Sequence, residues 1–205
     1  MQVIETGFKF GALTTRKSTK RVIIHHTASA DVPASTIHQW HLNQGWSGIG
    51  YHFVIRANGT IERGRPEDTI GAHSGPNGNG DSIGVVLTGN FETGKPTAAQ
   101  MESLVWLLKD YLFPKYGVKP VIGHKDVMAT ACPGRNFPWA DLKRRLEEDD
   151  EMIYKTLNDV PEWGKPLVKK LMDRGSLKGE GNGILNLPES TLKTLVILQR
   201  EGVIK

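Results

Sequence analysis

The chain has 205 residues, 38% of them apolar and 23% charged, with a formal net charge of +4. Such a composition excludes intrinsic disorder, the single cysteine excludes a disulfide framework, and no run approaches the about 18 apolar residues that a bilayer span requires. The mild positive charge attracts polyanions, but no basic stripe interleaved with aromatics marks a nucleic-acid surface, so neither nucleic acid nor membrane insertion is expected.

The first eight residues lack a basic run followed by an apolar stretch, so no secretory leader is expected. Residues 21–25, Arg-Val-Ile-Ile-His, form the first clear strand pattern. A short helix is expected over 34–43, with Ile37, Trp40 and Leu42 packing on a sheet. A strand over 51–56 turns at Asn58-Gly59 into a second one at Ile61-Glu62, a strong hairpin signal. Residues 82–88 form another Val/Ile-rich strand closed by Gly89-Asn90. The clearest helix opens at Pro96-Thr97 and runs toward Gly117. Thr97 and Gln100 make a capping box, Met101, Leu104, Val105, Leu108 and Leu112 share one face, and Pro114 is expected to end it a turn early. Another helix follows Pro138 through Leu146. Alternating strands and helices predict the α/β class, a central mixed β-sheet flanked by helices on both faces, without fixing strand order.

A change of character follows. Residues 1–148 are expected to form the main domain, an acidic linker spans 149–153, and residues 154–205 form a small helical module. In that module Trp163 and Pro166 open a helix stopped by Gly175. A Gly-rich turn over 179–183 leads to a second helix carrying Leu192, Leu195, Val196 and Leu198. Trp163 is expected in the module's core. About fifty residues bury little apolar surface alone, so the module should dock on the first domain, on a copy of itself or on a ligand.

Chemistry concentrates in three places. Two adjacent histidines, His25 and His26, end the first strand; Gly123-His124-Lys125-Asp126 follows a hundred residues later; and the lone cysteine stands in Ala131-Cys132-Pro133-Gly134. Two imidazoles and one thiolate are zinc donors with one position left open, the arrangement of a reactive rather than a structural site. Strand geometry admits only one of His25 and His26, because neighbouring side chains point to opposite faces, and periodicity does not choose between them. His38 and His41 are three apart on the expected short helix, but that helix is explained by its apolar residues, so they are not taken as ligands.

Ile24-His25-His26-Thr27-Ala28-Ser29, Gly50-Tyr51-His52-Phe53, Asp81-Ser82-Ile83-Gly84-Val85, and Gly123-His124-Lys125-Asp126 closing on Ala131-Cys132-Pro133-Gly134 together resemble the zinc-dependent N-acetylmuramoyl-L-alanine amidases of type 2. That superfamily also holds phage lysozyme-type amidases and peptidoglycan recognition proteins. The resemblance spans residues 20–146 and implies Zn²⁺ held by His25, His124 and Cys132. It implies that Tyr51 stands beside the metal and that Thr130 occupies a position where phage enzymes often carry lysine. A phenol with an ordinary pKa of about 10 stays protonated at pH 7 and can donate to a tetrahedral oxyanion. A threonine can add a weaker hydrogen bond but no charge. No glutamate is placed as in a His-Glu-x-x-His helix; Glu62 is near in sequence, but a plain strand role suits it better. The resemblance puts the Gly-rich loop carrying His73 on a substrate groove; Asn90, in Thr88-Gly89-Asn90-Phe91, is by residue type a turn former first and a ligand contact second.

The implied activity is hydrolysis of the lactyl amide joining N-acetylmuramic acid to L-alanine in peptidoglycan, by an endolysin of phage or prophage type. Such an enzyme is made in the host cytoplasm and acts on the wall after release. The competing classes are a non-catalytic peptidoglycan receptor and a cytoplasmic muropeptide-recycling amidase. Asp159-Val160-Pro161-Glu162-Trp163 and the helix spacing of the tail are similar to S-layer-homology units, implying a module that binds wall polymer, with homodimerisation as the other reading.

Overall fold

Residue alternation along a few Val/Ile-rich strands builds one sheet with two differently furnished faces. The computed structural model describes residues 1–117, 120–147, 152–181 and 183–204. It separates into two units, residues 1–147 and 148–205. Most of the acidic segment expected as a linker, residues 149–151, lies outside the described residues.

In the first unit the strands are β1 (Val3–Ile4), β2 (Arg21–His26), β3 (Phe53–Ile55), β4 (Ile61–Arg63), β5 (Ser82–Leu87) and β6 (Val121–Gly123). The helices are α1 (Ala34–Asn43), α2 (Ala98–Trp106), α3 (Phe113–Tyr116) and α4 (Trp139–Glu147). The sheet order is β1-β4-β3-β5-β2-β6. Only the β3–β4 hairpin is antiparallel; every other pair is parallel, so the sheet is mixed.

Strand periodicity divides the sheet's side chains. Val22 and Ile24 of β2, Phe53 and Ile55 of β3, and Ile83, Val85 and Leu87 of β5 face one side, where Met101, Leu104, Leu107, Leu108 and Leu142 cover them. On the other side Val54 and Val86 pack with Ala34 and Ile37 of α1 and with Ile49. His25 pairs with Val86 in register and therefore lies on the α1 side. A sheet covered on both faces explains why these strands read as nearly continuous apolar runs.

Two helices depart from expectation. In α1 the buried stripe is Ala34, Ile37, His38 and His41, spaced i, i+3, i+4 and i+7, while Trp40 and Leu42 are each 38% exposed. The two histidines face inward because each satisfies a backbone donor: Ile49 N–H donates to His38 Nδ1 at 3.2 Å and Gly50 N–H to His41 Nδ1 at 2.9 Å. The long helix also does not stop before Pro114. Its Thr97–Gln100 capping box forms, but after α2 it continues as a π-helical stretch over Leu107–Leu112 and then α3, ending at Gly117 in the left-handed region. The widened spacing, with Phe113 N–H bonding Leu108 O, carries the chain past a proline that lacks its own N–H.

The second unit holds α5 (Lys165–Asp173), α6 (Glu189–Arg200) and a short antiparallel pair, β7 (Ile153–Tyr154) with β8 (Leu187–Pro188). Its core is built on Tyr154, Val160, Val168, Leu185, Leu187 and Leu192. Trp163, expected in that core, is 52% exposed, because the buried face of α5 is supplied by Leu167, Val168 and Leu171.

Candidate active site

His25 and His26 separate as strand geometry demands. The His26 ring turns to the opposite face, where its Nδ1 accepts the Phe91 N–H at 3.0 Å. His25 is fully buried and points to the α1 side. His124 stands directly after β6 in a short 3₁₀ turn, whose start is tied by Gly123 N–H donating to Asp126 Oδ2 at 2.7 Å. The loop beyond folds back, with Lys125 N–H bonded to Cys132 O at 2.9 Å, and this return carries the thiol under β2.

One donor atom from each of His25, His124 and Cys132 lies within 4.8 Å of the others. His25 Nδ1 is 3.7 Å from Cys132 Sγ. A tetrahedral zinc with bonds of about 2.05 Å to nitrogen and about 2.3 Å to sulfur separates two such atoms by about 3.6 Å, so the donor set fits that ion. Burial, then the neighbouring His124 and His26, holds His25 well below the usual imidazole range, and burial lowers His124. Both rings are therefore in the neutral form a metal needs. Burial pushes the Cys132 thiol up to about 11, against a smaller opposing effect of the His26 N–H donated to its sulfur at 3.4 Å. Such a thiol keeps its proton at neutral pH until a cation displaces it.

Tyr51 sits just before β3, its ring centroid 5.0 Å from that of His25. Burial, and secondarily Cys132, raises its phenol above the usual range, so it remains a proton donor. Beyond Tyr51 the rings of His41 and Trp46 follow at 5.6 and 4.6 Å spacings, leading to a partly exposed indole. Thr130 is exposed, and its Oγ1 accepts the Cys132 N–H at 3.3 Å, leaving its own proton to donate.

His73 and Glu62 take roles the sequence did not suggest, while Asn90 closes a turn. His73 is only 7% exposed; its Nδ1 lies 2.9 Å from His25 Nε2, so it stands behind the candidate ligand and not on an open groove wall. The physical reason is Gly84 of β5, where an added Cβ would come within 2.5 Å of the His73 ring: the missing side chain makes the space that the imidazole fills. Asn90 is exposed and its Oδ1 closes a turn on the Glu92 N–H at 3.0 Å. Glu62 caps α1, accepting the Ala34 N–H at 2.6 Å, which occupies it away from any base role. Ser82, bonded within the His73 surroundings, stands in one of the motifs but has no role legible in the sequence; a polar residue opening an apolar strand is the available signal.

Comparison with known proteins gives a family match. Residues 15–135 match the profile of the family described as N-acetylmuramoyl-L-alanine amidase. The endolysin of Klebsiella phage KP32 is 39% identical over 145 residues, covering 67% of this chain and 91% of that protein. Peptidoglycan recognition protein 1 of Bos indicus is 35% identical over 146 residues, covering 62% of this chain and 75% of its own length. Among solved structures, the N-acetylmuramoyl-L-alanine amidase LysC from Clostridium intestinale URNW superimposes with a TM-score of 0.69 at 37% identity, covering 73% of this chain and 99% of that one.

Proposed function

The chain belongs to the N-acetylmuramoyl-L-alanine amidase family, and from that membership we propose that it hydrolyses the lactyl amide between N-acetylmuramic acid and the L-alanine of the peptide stem, as an endolysin. Peptidoglycan or its muropeptide fragments are the substrate. The observation that carries the reading is the convergence of His25, His124 and Cys132, whose donor atoms all lie within 4.8 Å of one another.

Zinc is the ion this donor set suits, held by His25 Nδ1, His124 and the Cys132 thiolate. When bound it supplies Lewis acidity, which polarises an amide carbonyl and acidifies water. The rest of the work falls to the chain. Tyr51, kept protonated by its burial, donates to the oxygen on which negative charge develops. Thr130 offers a second, uncharged hydrogen bond from the loop. The His26 ring lies on the far side of β2, where it anchors Phe91, so it takes no part in proton transfer, while its backbone N–H supports the sulfur.

Among the described residues no helix is long and apolar enough to cross a membrane. Action on the wall after release from the producing cell accords with the endolysin relatives. The second unit is proposed to bind wall polymer, which would raise the local substrate concentration without altering the chemistry.

Digestion of purified muropeptides with mass analysis tests the activity. Release of free stem peptides that stops with a chelator and returns with added zinc is expected. Binding without cleavage would favour a receptor, and cleavage of soluble fragments without attack on intact wall would favour a recycling enzyme.

A further inference from the structure

Behind His25 runs a chain of buried polar groups that ends on a carbonyl. Ser82 Oγ lies 2.6 Å from Gly78 O, a group that can only accept, so the hydroxyl proton is committed there. Toward His73 Nε2, at 3.4 Å, the same oxygen must then act as acceptor, and Nε2 carries the ring proton. A neutral imidazole with its proton on Nε2 has its lone pair on Nδ1, and that atom faces His25 Nε2 at 2.9 Å. His25 therefore donates from Nε2. Its Nδ1 is left with a lone pair, pointing toward Cys132 Sγ.

We propose that His73 is a positioning residue: with Ser82 and the Gly78 carbonyl it forms a one-way hydrogen-bond chain that locks His25 in its Nε2–H tautomer and keeps Nδ1 available as a ligand. The inference rests on the metal-site reading above and adds to it the group that selects the ligand atom. Reversing the chain would put the proton on His25 Nδ1, between the ring and the sulfur, where a cation must bind.

The surroundings are built for this ring. An added Cβ at Gly71 would lie 2.4 Å from His73 Cδ2, and one at Gly84 would lie 2.5 Å from the same atom, so only glycine at both positions admits the imidazole. The backbone is pinned as well. Asn79 Oδ1 accepts the N–H of both His73 and Ser74 at 2.8 Å, and Ala72 N–H bonds Gly50 O at 3.1 Å. A partner that holds the outer nitrogen of a ligating histidine orients the ring and fixes its tautomer, and losing one typically weakens metal binding 10- to 100-fold.

Two measurements test the proposal. Long-range proton–nitrogen NMR correlation on ¹⁵N-labelled, metal-free wild-type protein should show the proton on Nε2 in both His25 and His73; a proton on Nδ1 of either ring overturns the chain. Competition titration of zinc against a chromophoric chelator should show His73→Phe binding the ion about 10- to 100-fold more weakly than wild type, and Ser82→Ala between the two. Equal affinity in wild type and His73→Phe overturns the positioning role while leaving the metal site standing. Failure of wild type itself to bind zinc refutes the site reading, and the NMR result still reports on the hydrogen-bond chain.

Discussion

Acidification should destabilise this protein through its buried histidines well before its carboxylates protonate, and His52 is the one whose share can be isolated. His52 is 0% exposed and held at both nitrogens: Gly84 N–H donates to Nδ1 at 2.9 Å, and Nε2–H donates to Thr69 O at 3.0 Å. Protonation would set an Nδ1–H against the Gly84 N–H, donor facing donor, with the Arg16 guanidinium 3.2 Å away. Burial, opposed by the Thr69 bond and reinforced by Arg16 and Arg65, lowers its pKa from the ordinary 6.5 to about 3. A depressed folded-state pKa means that stability is fully present above pH 6.5 and drains away as pH falls toward 3. Integrated between those values, the loss is about 2 kcal/mol by pH 5 and saturates near about 5 kcal/mol. Urea unfolding of wild type and His52→Asn at pH 8, 6 and 5 isolates the contribution, since asparagine can still accept the Gly84 N–H but does not titrate. The stability difference between the two proteins should shrink by about 2 kcal/mol from pH 8 to pH 5. A difference that stays constant with pH would refute the assignment of a neutral, doubly bonded His52.

Three further outcomes follow from particular groups. Tyr51→Phe should lower kcat on muropeptides by about 10²- to 10³-fold, the size expected for losing one donor to a developing oxyanion, with KM little altered; steady-state kinetics checks this, and an unchanged kcat would remove Tyr51 from the chemistry. Glu67 lies under Arg63, Tyr111, Lys115 and Tyr116; burial opposes its ionisation, but their hydrogen bonds and charges outweigh that and lower its pKa. Its contribution is therefore present above the ordinary carboxylate range and lost as pH falls, and Glu67→Gln should cost about 3 kcal/mol in neutral urea titrations and flatten the acid limb below about pH 4.5. Co-sedimentation with purified walls should show that a chain ending at residue 147 pellets less than the full chain while cleaving soluble muropeptides equally; equal pelleting would remove the binding role proposed for the second unit.

Legibility of this molecule in its sequence followed the range of the forces involved. Short-range signals were readable: the Asn58-Gly59 hairpin, the Thr97–Gln100 box and the apolar runs of β2 and β5 each declare themselves within a few residues. Two-residue β1 was not, because Val3 and Ile4 show no periodicity and are ordered by pairing with Ile61 and Glu62. The α1 helix misled because polarity and burial part company there: two imidazoles go inside to accept backbone N–H groups, while Trp40 and Leu42 remain outside. His73 misled for a related reason. A Gly-rich loop reads as exposed, yet Gly71 and Gly84 are small because a ring is packed against them, and a glycine inside an apolar strand is itself a sign of close approach. The proposed ligands were nameable only through several motifs in order; the choice of His25 over His26 becomes physical once register places His25 on the side of Val86 and α1.

Zinc-edge X-ray absorption on the purified, zinc-loaded protein probes the proposed site most directly. One sulfur at about 2.3 Å and two imidazole nitrogens at about 2.0 Å, with a light fourth scatterer and loss of the sulfur shell in Cys132→Ser, is the spectrum expected. A first shell without sulfur, or one unchanged by that substitution, would contradict the assignment of His25, His124 and Cys132.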